Sequence, residues 1–144
     1  MVKMFLVRLL SVTPIKWRTP AQPEIALSIA FANHLRALTL DGKLKGVWTH
    51  IPNEIGWGAN DKKAQFTYAL AKNMGMIVGS PDYVFLKSDG ALALEAKSKT
   101  GRQHEGQKDF EQWCAEQGVP YRIFRTIEEA IAILIENDFL EETK

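Results

Sequence analysis

The sequence predicts an α/β domain with a central mixed sheet flanked by helices. Three observations carry that prediction. First, Asp89-Gly90 stands between the apolar runs Tyr83 to Leu86 and Ala91 to Leu94, the pattern of two strands joined by a tight turn. Second, apolar residues recur at helical spacing on both sides of this hairpin, over Glu24 to Leu38, within Gly101 to Gln117, and again after Thr126. Third, the order reads helix, strand, helix, hairpin, helix, strand, helix. A hairpin followed by a helix and a further strand brings antiparallel and crossover pairings into one sheet. At 144 residues the chain suits a single domain with one core.

Each element has a local reason. Met4 to Val12 is apolar and reads as an edge strand or part of a subunit contact. Pro14, Pro20 and Pro23 exclude regular structure from most of the remaining lead-in, residues 1–23. Pro23 suits the first turn of a helix over Glu24 to Leu38, with Leu27, Phe31, Leu35 and Leu38 on one stripe. A polar turn with Asp41-Gly42 leads to a short strand, Val47 to Ile51, and then to a loop from Pro52 to Asn60. The next helix spans Asp61 to Asn73 and is stopped by Gly75. After the hairpin, Gln107, Phe110 and Cys114 share a helical stripe with Trp113 beside it, and Gly118 is placed to end it. Val119 to Phe124 is a strand. Thr126-x-x-Glu129 is a capping box opening a last helix with the stripe Ile127, Ala130, Ile131, Leu134 and Ile135. Repeats, low-complexity segments and dividing linkers are absent from the sequence.

The net charge of +1 says little by itself. Its distribution says more. Residues 126–144 hold six carboxylates against Lys144 alone, which leaves 17 basic and 11 acidic residues over 1–125. That excess is either a merely solvated basic face or one that attracts a polyanion. Cys114 is the single cysteine, so an intramolecular disulfide is impossible and a reducing compartment is expected. Its helical neighbours Phe110 and Trp113 mark it as a packing residue. Lys3 ahead of the apolar Met4 to Val12 raises a signal peptide, but Arg8 interrupts the run and no small-residue cleavage site follows. The run is also too short to span a bilayer, so a cytoplasmic location without membrane attachment is expected.

The hairpin carries the chemistry. With Asp89-Gly90 as the loop, Ser88 faces Ala91, Lys97 lies across from Asp82, and Val84 lies across from Glu95. Alternation then puts Asp82, Glu95 and Lys97 on one face. Two carboxylates and an ammonium at one end of an apolar hairpin are costly, and imply a bound cation or a chemical task. The plain alternative is a surface ion-pair ladder. Exposed pairs contribute little, and a ladder leaves Pro81 beside Asp82 unexplained.

Pro81-Asp82 followed by Glu95-Ala96-Lys97 resembles the PD-(D/E)XK nucleases. Gly79 before it, Gln107 in the following helix, and His50-Ile51-Pro52-Asn53-Glu54 upstream narrow the resemblance to the VRR-NUC (virus-type replication-repair nuclease) domain, over roughly Glu24 to Ala130. The resemblance implies a restriction-endonuclease-like core and a metal-dependent endonuclease acting on DNA. It also implies a metal-site glutamate on the first helix, where Glu24 stands. From its position alone Glu24 is either an exposed first-turn residue favoured by the helix dipole or a ligand pointing inward. The short stand-alone members resemble Holliday-junction resolvases, so the likeness further implies a homodimer acting on branched DNA. Ser80, where an aliphatic residue is frequent, is a small departure that does not touch the chemistry.

Phosphodiester hydrolysis needs a nucleophilic water, neutralised phosphate charge and help for the leaving oxygen, all within reach of hard divalent cations. Asp82 and Glu95 offer carboxylates and Ala96 a backbone carbonyl, an all-oxygen set that suits Mg²⁺ or Mn²⁺; zinc would want His or Cys. Lys97 can orient water or stabilise phosphate charge. Gln107 is either solvent-facing or turned toward the sheet, and its stripe favours the sheet. Asn53 and Glu54 are turn residues or contributors to the site. His50 reads as a partly buried strand residue, and His34 and His104 as bland. Lys99, Arg102 and Lys108 after the hairpin, with Lys43, Lys45, Lys62 and Lys63 before it, are candidate phosphate contacts. Trp57 can stack on an unpaired base, wedge a branch point, cap the core or join an interface. Two rival functions remain: a nicking, flap-type or general nuclease working with a replication partner, and a non-catalytic nucleic-acid-binding module. The complete Asp82, Glu95 and Lys97 set argues against the second.

Overall fold

A computed structural model describes residues 1–52 and 61–143. The elements run α1 (Met4–Leu10), α2 (Pro23–Leu40), β1 (Val47–His50), α3 (Lys62–Asn73), β2 (Tyr83–Lys87), β3 (Gly90–Ala96), α4 (Glu105–Glu116), β4 (Tyr121–Phe124) and α5 (Ile127–Glu136). The architecture is α/β, a mixed four-stranded sheet in the order β1-β2-β3-β4 with flanking helices. Strands β2 and β3 are antiparallel. Strands β3 and β4 are parallel: Ala93 N–H donates to the Pro120 carbonyl at 2.9 Å and Lys97 N–H to that of Phe124 at 3.0 Å, the same sequence offset both times. The Ile51 N–H donates to the Asp82 carbonyl at 2.7 Å, just beyond the end of β1.

Two compact units share these strands. The first comprises Met1–Val47, Ala96–Gly101 and Ile123–Lys144, and the second Trp48–Glu95 and Arg102–Arg122. In the first, the stripe read on α2 turns inward: Phe31 and Leu35 are fully buried, and the Phe31 ring meets that of Phe124 at 4.6 Å between centroids. Helix α5 buries Ala130, Ile133 and Leu134. The Asp138 N–H donates to the Ile135 carbonyl and the Phe139 N–H to that of Leu134, with Asp138 at φ +61°. This left-handed stop turns Phe139 and Leu140 back into the core. In the second unit Tyr83, Phe85, Leu92 and Leu94 of the hairpin pack with Cys114 of α4 and Tyr121 of β4 among the buried residues.

Two expectations are corrected. Met4–Leu10 is a helix and not an edge strand. Its Met, Leu and Arg residues are good helix formers, it lacks the polar alternation of a strand, and it lies against α2. The hairpin register also differs. Lys87 pairs with Gly90, so the loop is Ser88-Asp89, and Val84 faces Ala93 in place of Glu95. Ser88, Asp89 and Gly90 all lack positive φ, so the primed turn does not form. Gly90 instead takes the last position of the four-residue turn, where an ordinary type I turn favours glycine. The ladder ends with Tyr83 opposite Leu94, and one further step puts Asp82 opposite Glu95, where Lys97 was expected. A slip of two residues preserves which face each side chain takes, so the inference that Asp82 and Glu95 share a face survives the error.

Candidate active site

The site of the second unit is built from one close approach of backbone. Gly79 has φ +103°, and a Cβ there would lie 2.3 Å from the Gly106 carbonyl carbon and oxygen and 2.8 Å from the Gln107 nitrogen. Gly106 reciprocates, since its own Cβ would meet the Val78 carbonyl oxygen at 3.0 Å. Without side chains at both positions, the turn that leads to Asp82 sits directly against the first turn of α4. Ser80 and Pro81, which follow, are buried.

That contact fixes Gln107. His104 is the N-cap of α4: its Nδ1 accepts from the Gln107 N–H at 3.4 Å, and the His104 N–H donates to Gln107 Oε1 at 3.1 Å. With its oxygen tied to a backbone donor, the amide presents Nε2 forward, and Nε2 donates to Glu95 Oε1 at 2.5 Å. The other oxygen of Glu95 accepts from the Tyr121 hydroxyl at 3.1 Å. Glu95 is 1% exposed. Both of these donors are neutral groups, so they orient the carboxylate without cancelling its charge. Burial, and secondarily the charge of Glu95, push the Tyr121 phenol far above its usual range, so it holds its proton and acts as a donor. Asp82 is half-buried, and its carboxylate brings an oxygen within 4.8 Å of one from Glu95. Two carboxylates this close, one of them buried, repel each other unless a cation or a proton intervenes.

In the first unit, β3 continues through buried Ala96 to Lys97, which is 6% exposed. Lys97 Nζ lies 3.9 Å from Glu24 Oε1, and Glu24 is half-buried in the first turn of α2, where the helix dipole favours a carboxylate. The turn after Lys97 is clamped by Arg125, whose Nη1 donates to the carbonyls of Ser98 at 2.5 Å and Gly101 at 2.8 Å.

The remaining predicted residues are spread out. Lys99, Arg102 and Lys108 are exposed after β3. Lys62 and Lys63 are exposed in the first turn of α3, behind the N-cap Asp61. Lys43 is exposed, and Lys45 pairs with Glu141 at 3.8 Å. His50 is half-buried with its ring 5.1 Å from that of Tyr83, in keeping with a strand residue. His34 is exposed. Cys114 is buried, and burial together with the Glu111 charge raises its thiol pKa, as suits a packing residue. Asn53, Glu54 and Trp57 lie outside the described residues.

Three residues that shape the site carry no strong sequence signal: Tyr121, Arg125 and His104. His104 is not bland, since it aims Gln107. A signal for it did exist, because His104 followed three residues on by Gln107 is a weak capping box. Tyr121 reaches Glu95 only through the parallel pairing of β3 with β4, and a crossover helix leaves that register unspecified.

No protein-family model matches the chain, and no curated protein matches it. Among solved structures it is similar to a VRR_NUC domain protein at 20% identity, with a TM-score of 0.59 over 82% of this chain and 89% of that one. The chain has a VRR-NUC fold. Within it, the carboxylates of Asp82 and Glu95 are hard oxygen donors of a kind that suits a metal ion.

Proposed function

We propose that the chain is a divalent-metal-dependent endonuclease hydrolysing DNA phosphodiester bonds, with a preference for branched, junction-like DNA. The observation that supports this most is the Asp82–Glu95 carboxylate pair, one member buried and oriented by neutral donors. Burying one carboxylate beside a second is costly, and a bound cation would offset that cost. The donors are hard oxygens, which fits Mg²⁺ or Mn²⁺. Asp82 and Glu95 would hold the ion with the Ala96 carbonyl, and Glu24, which pairs with Lys97, would add a third carboxylate. When bound, such an ion neutralises phosphate charge and acidifies water.

The chain's own residues then have distinct tasks. Lys97 is buried and held by Glu24, so its ammonium is a fixed positive charge suited to the scissile phosphate or to the attacking water. Gln107 keeps Glu95 in place and exposes no charge of its own. Lys62 and Lys63 occupy a helix N-terminus, where cations oppose the dipole, and an arriving phosphate would offset that cost. Lys99 and Arg102 are the phosphate contacts beyond β3, and Asn53 and Trp57 complete the proposed DNA contacts. We infer further that the chain is one nuclease domain acting as a homodimer in the cytoplasm, since paired cuts on a branched duplex suit two active sites. No helix among the described residues is long and apolar enough to cross a membrane.

The test is cleavage of end-labelled branched and linear duplexes with Mg²⁺ or Mn²⁺, comparing the wild type with Glu95→Ala. Metal-dependent cuts that vanish in the variant and favour the branched substrate are expected. Equal cutting of linear DNA would replace the junction preference with general nuclease activity. Binding without any metal-dependent cutting would reduce the protein to a nucleic-acid-binding module.

A further inference from the structure

Tyr121 belongs to none of the roles assigned above, yet its hydroxyl meets the group on which they depend. We propose that Tyr121 is a positioning residue for the metal centre, locking the Glu95 carboxylate in one rotation toward the ion. The inference rests on the metal-dependent reading of Asp82 and Glu95.

The geometry is two-sided. Glu95 stands on β3, and its donors come from the elements that follow: Gln107 from α4 on Oε1 at 2.5 Å, and Tyr121 from β4 on Oε2 at 3.1 Å. A carboxylate held at one oxygen still swings about its last side-chain bond. One held at both does not, and accepting one hydrogen bond at an oxygen is compatible with that oxygen also binding a cation. Tyr121 is 9% exposed and its strand is tied in parallel to β3 through Ala93–Pro120 and Lys97–Phe124, so the hydroxyl has little room to drift. Its neutrality matters as much as its place. A lysine or arginine there would also orient Glu95, but it would compete with the metal for the same charge. Groups that hold metal ligands in this way typically govern about 10- to 100-fold in metal affinity.

A hydroxyl that merely satisfies a buried oxygen would make the same hydrogen bond, so the experiment must separate the two roles. Mn²⁺ binding is measured by calorimetry on the DNA-free protein for the wild type, Tyr121→Phe and Tyr121→His, with the metal concentration for half-maximal cleavage measured in parallel. The expected result for Tyr121→Phe is an affinity about 10-fold or more weaker, with cleavage recovering as metal is raised. Tyr121→His, which retains a ring N–H donor, should recover part of that affinity. If Tyr121→Phe does not fold, the histidine variant decides alone: its shorter side chain holds Glu95 less well, so an affinity several-fold weaker than wild type supports the assignment and an unchanged one overturns it. Unchanged Mn²⁺ affinity in a folded Tyr121→Phe overturns the assignment and leaves the metal-dependent reading intact. A wild type that binds no Mn²⁺ overturns both. Lower thermal stability and lower maximal rate at an unshifted metal requirement would make Tyr121 structural and also overturn the assignment.

Discussion

The β2–β3 hairpin carries acidic residues at both ends, and the two ends treat them in opposite ways. At the tip, Asp89 sits 3.3 Å from Lys87, with its side chain 78% exposed. Water screens that pair, and its contribution to stability is small. At the base, Glu95 is excluded from water and oriented by Gln107 and Tyr121, with the carboxylate of Asp82 close by. The tip follows what a turn requires, whereas the base pays a desolvation cost that folding alone does not explain. The proposed metal site rests on that buried, oriented carboxylate and the second one beside it.

The sharpest way to break this contrast is at Glu95. Glu95→Ala should bring cleavage down to the metal-free background, whereas Asp89→Ala at the tip leaves it unchanged in the same gel assay. Lys97→Met should likewise suppress cleavage while DNA binding persists. Next comes Gly79→Ala, which attacks the backbone approach beneath the site. The positive φ alone costs about 1–3 kcal/mol, and the clash with Gly106 adds to it, so the melting temperature should fall by roughly 10 °C. Gln107→Ala removes one of the two named donors to Glu95, and metal affinity in a calorimetric titration should drop about 10- to 100-fold.

A smaller effect concerns alkaline stability. Folded Tyr121 holds its proton well above the ordinary 10.0 of an unfolded tyrosine. A raised folded pKa contributes stability that is full below the unfolded value and lost as pH rises through the folded one. Denaturant unfolding of the wild type should therefore weaken above about pH 10, and Tyr121→Phe should show a shallower decline. Smallest of all, Asp89→Ala should alter stability by less than about 0.5 kcal/mol in the same unfolding experiment.

Much of this arrangement was legible in the sequence, and the parts that were not share a cause. Local signals did well. Gly75 and Gly118 end α3 and α4 with positive φ, as their positions imply, and the apolar stripes mark Phe31, Leu35, Ala130 and Leu134 as core. Thr126 caps α5 and accepts from the Glu129 N–H at 3.1 Å, although Glu129 returns its side chain to the Arg125 N–H instead of the cap. The left-handed stop of α5 was missed because Asp138, not glycine, occupies it. Spacing and resemblance singled out Asp82, Glu95 and Gln107, which the structure brings together, and a wrong hairpin register did no harm because its error was even. Tyr121 was out of reach. It touches Glu95 across the parallel pairing of β3 with β4, a long-range outcome with no trace in the residues beside it.

The most direct test of the account is a crystal structure of the protein soaked in Mn²⁺, with anomalous scattering to locate the ion. The account expects a peak within about 2.0–2.5 Å of carboxylate oxygens from both Asp82 and Glu95, with the Gln107 and Tyr121 contacts to Glu95 retained. A metal-soaked crystal with no peak at these carboxylates, or one in which Glu95 stays bound to its donors while the ion sits elsewhere, would contradict it.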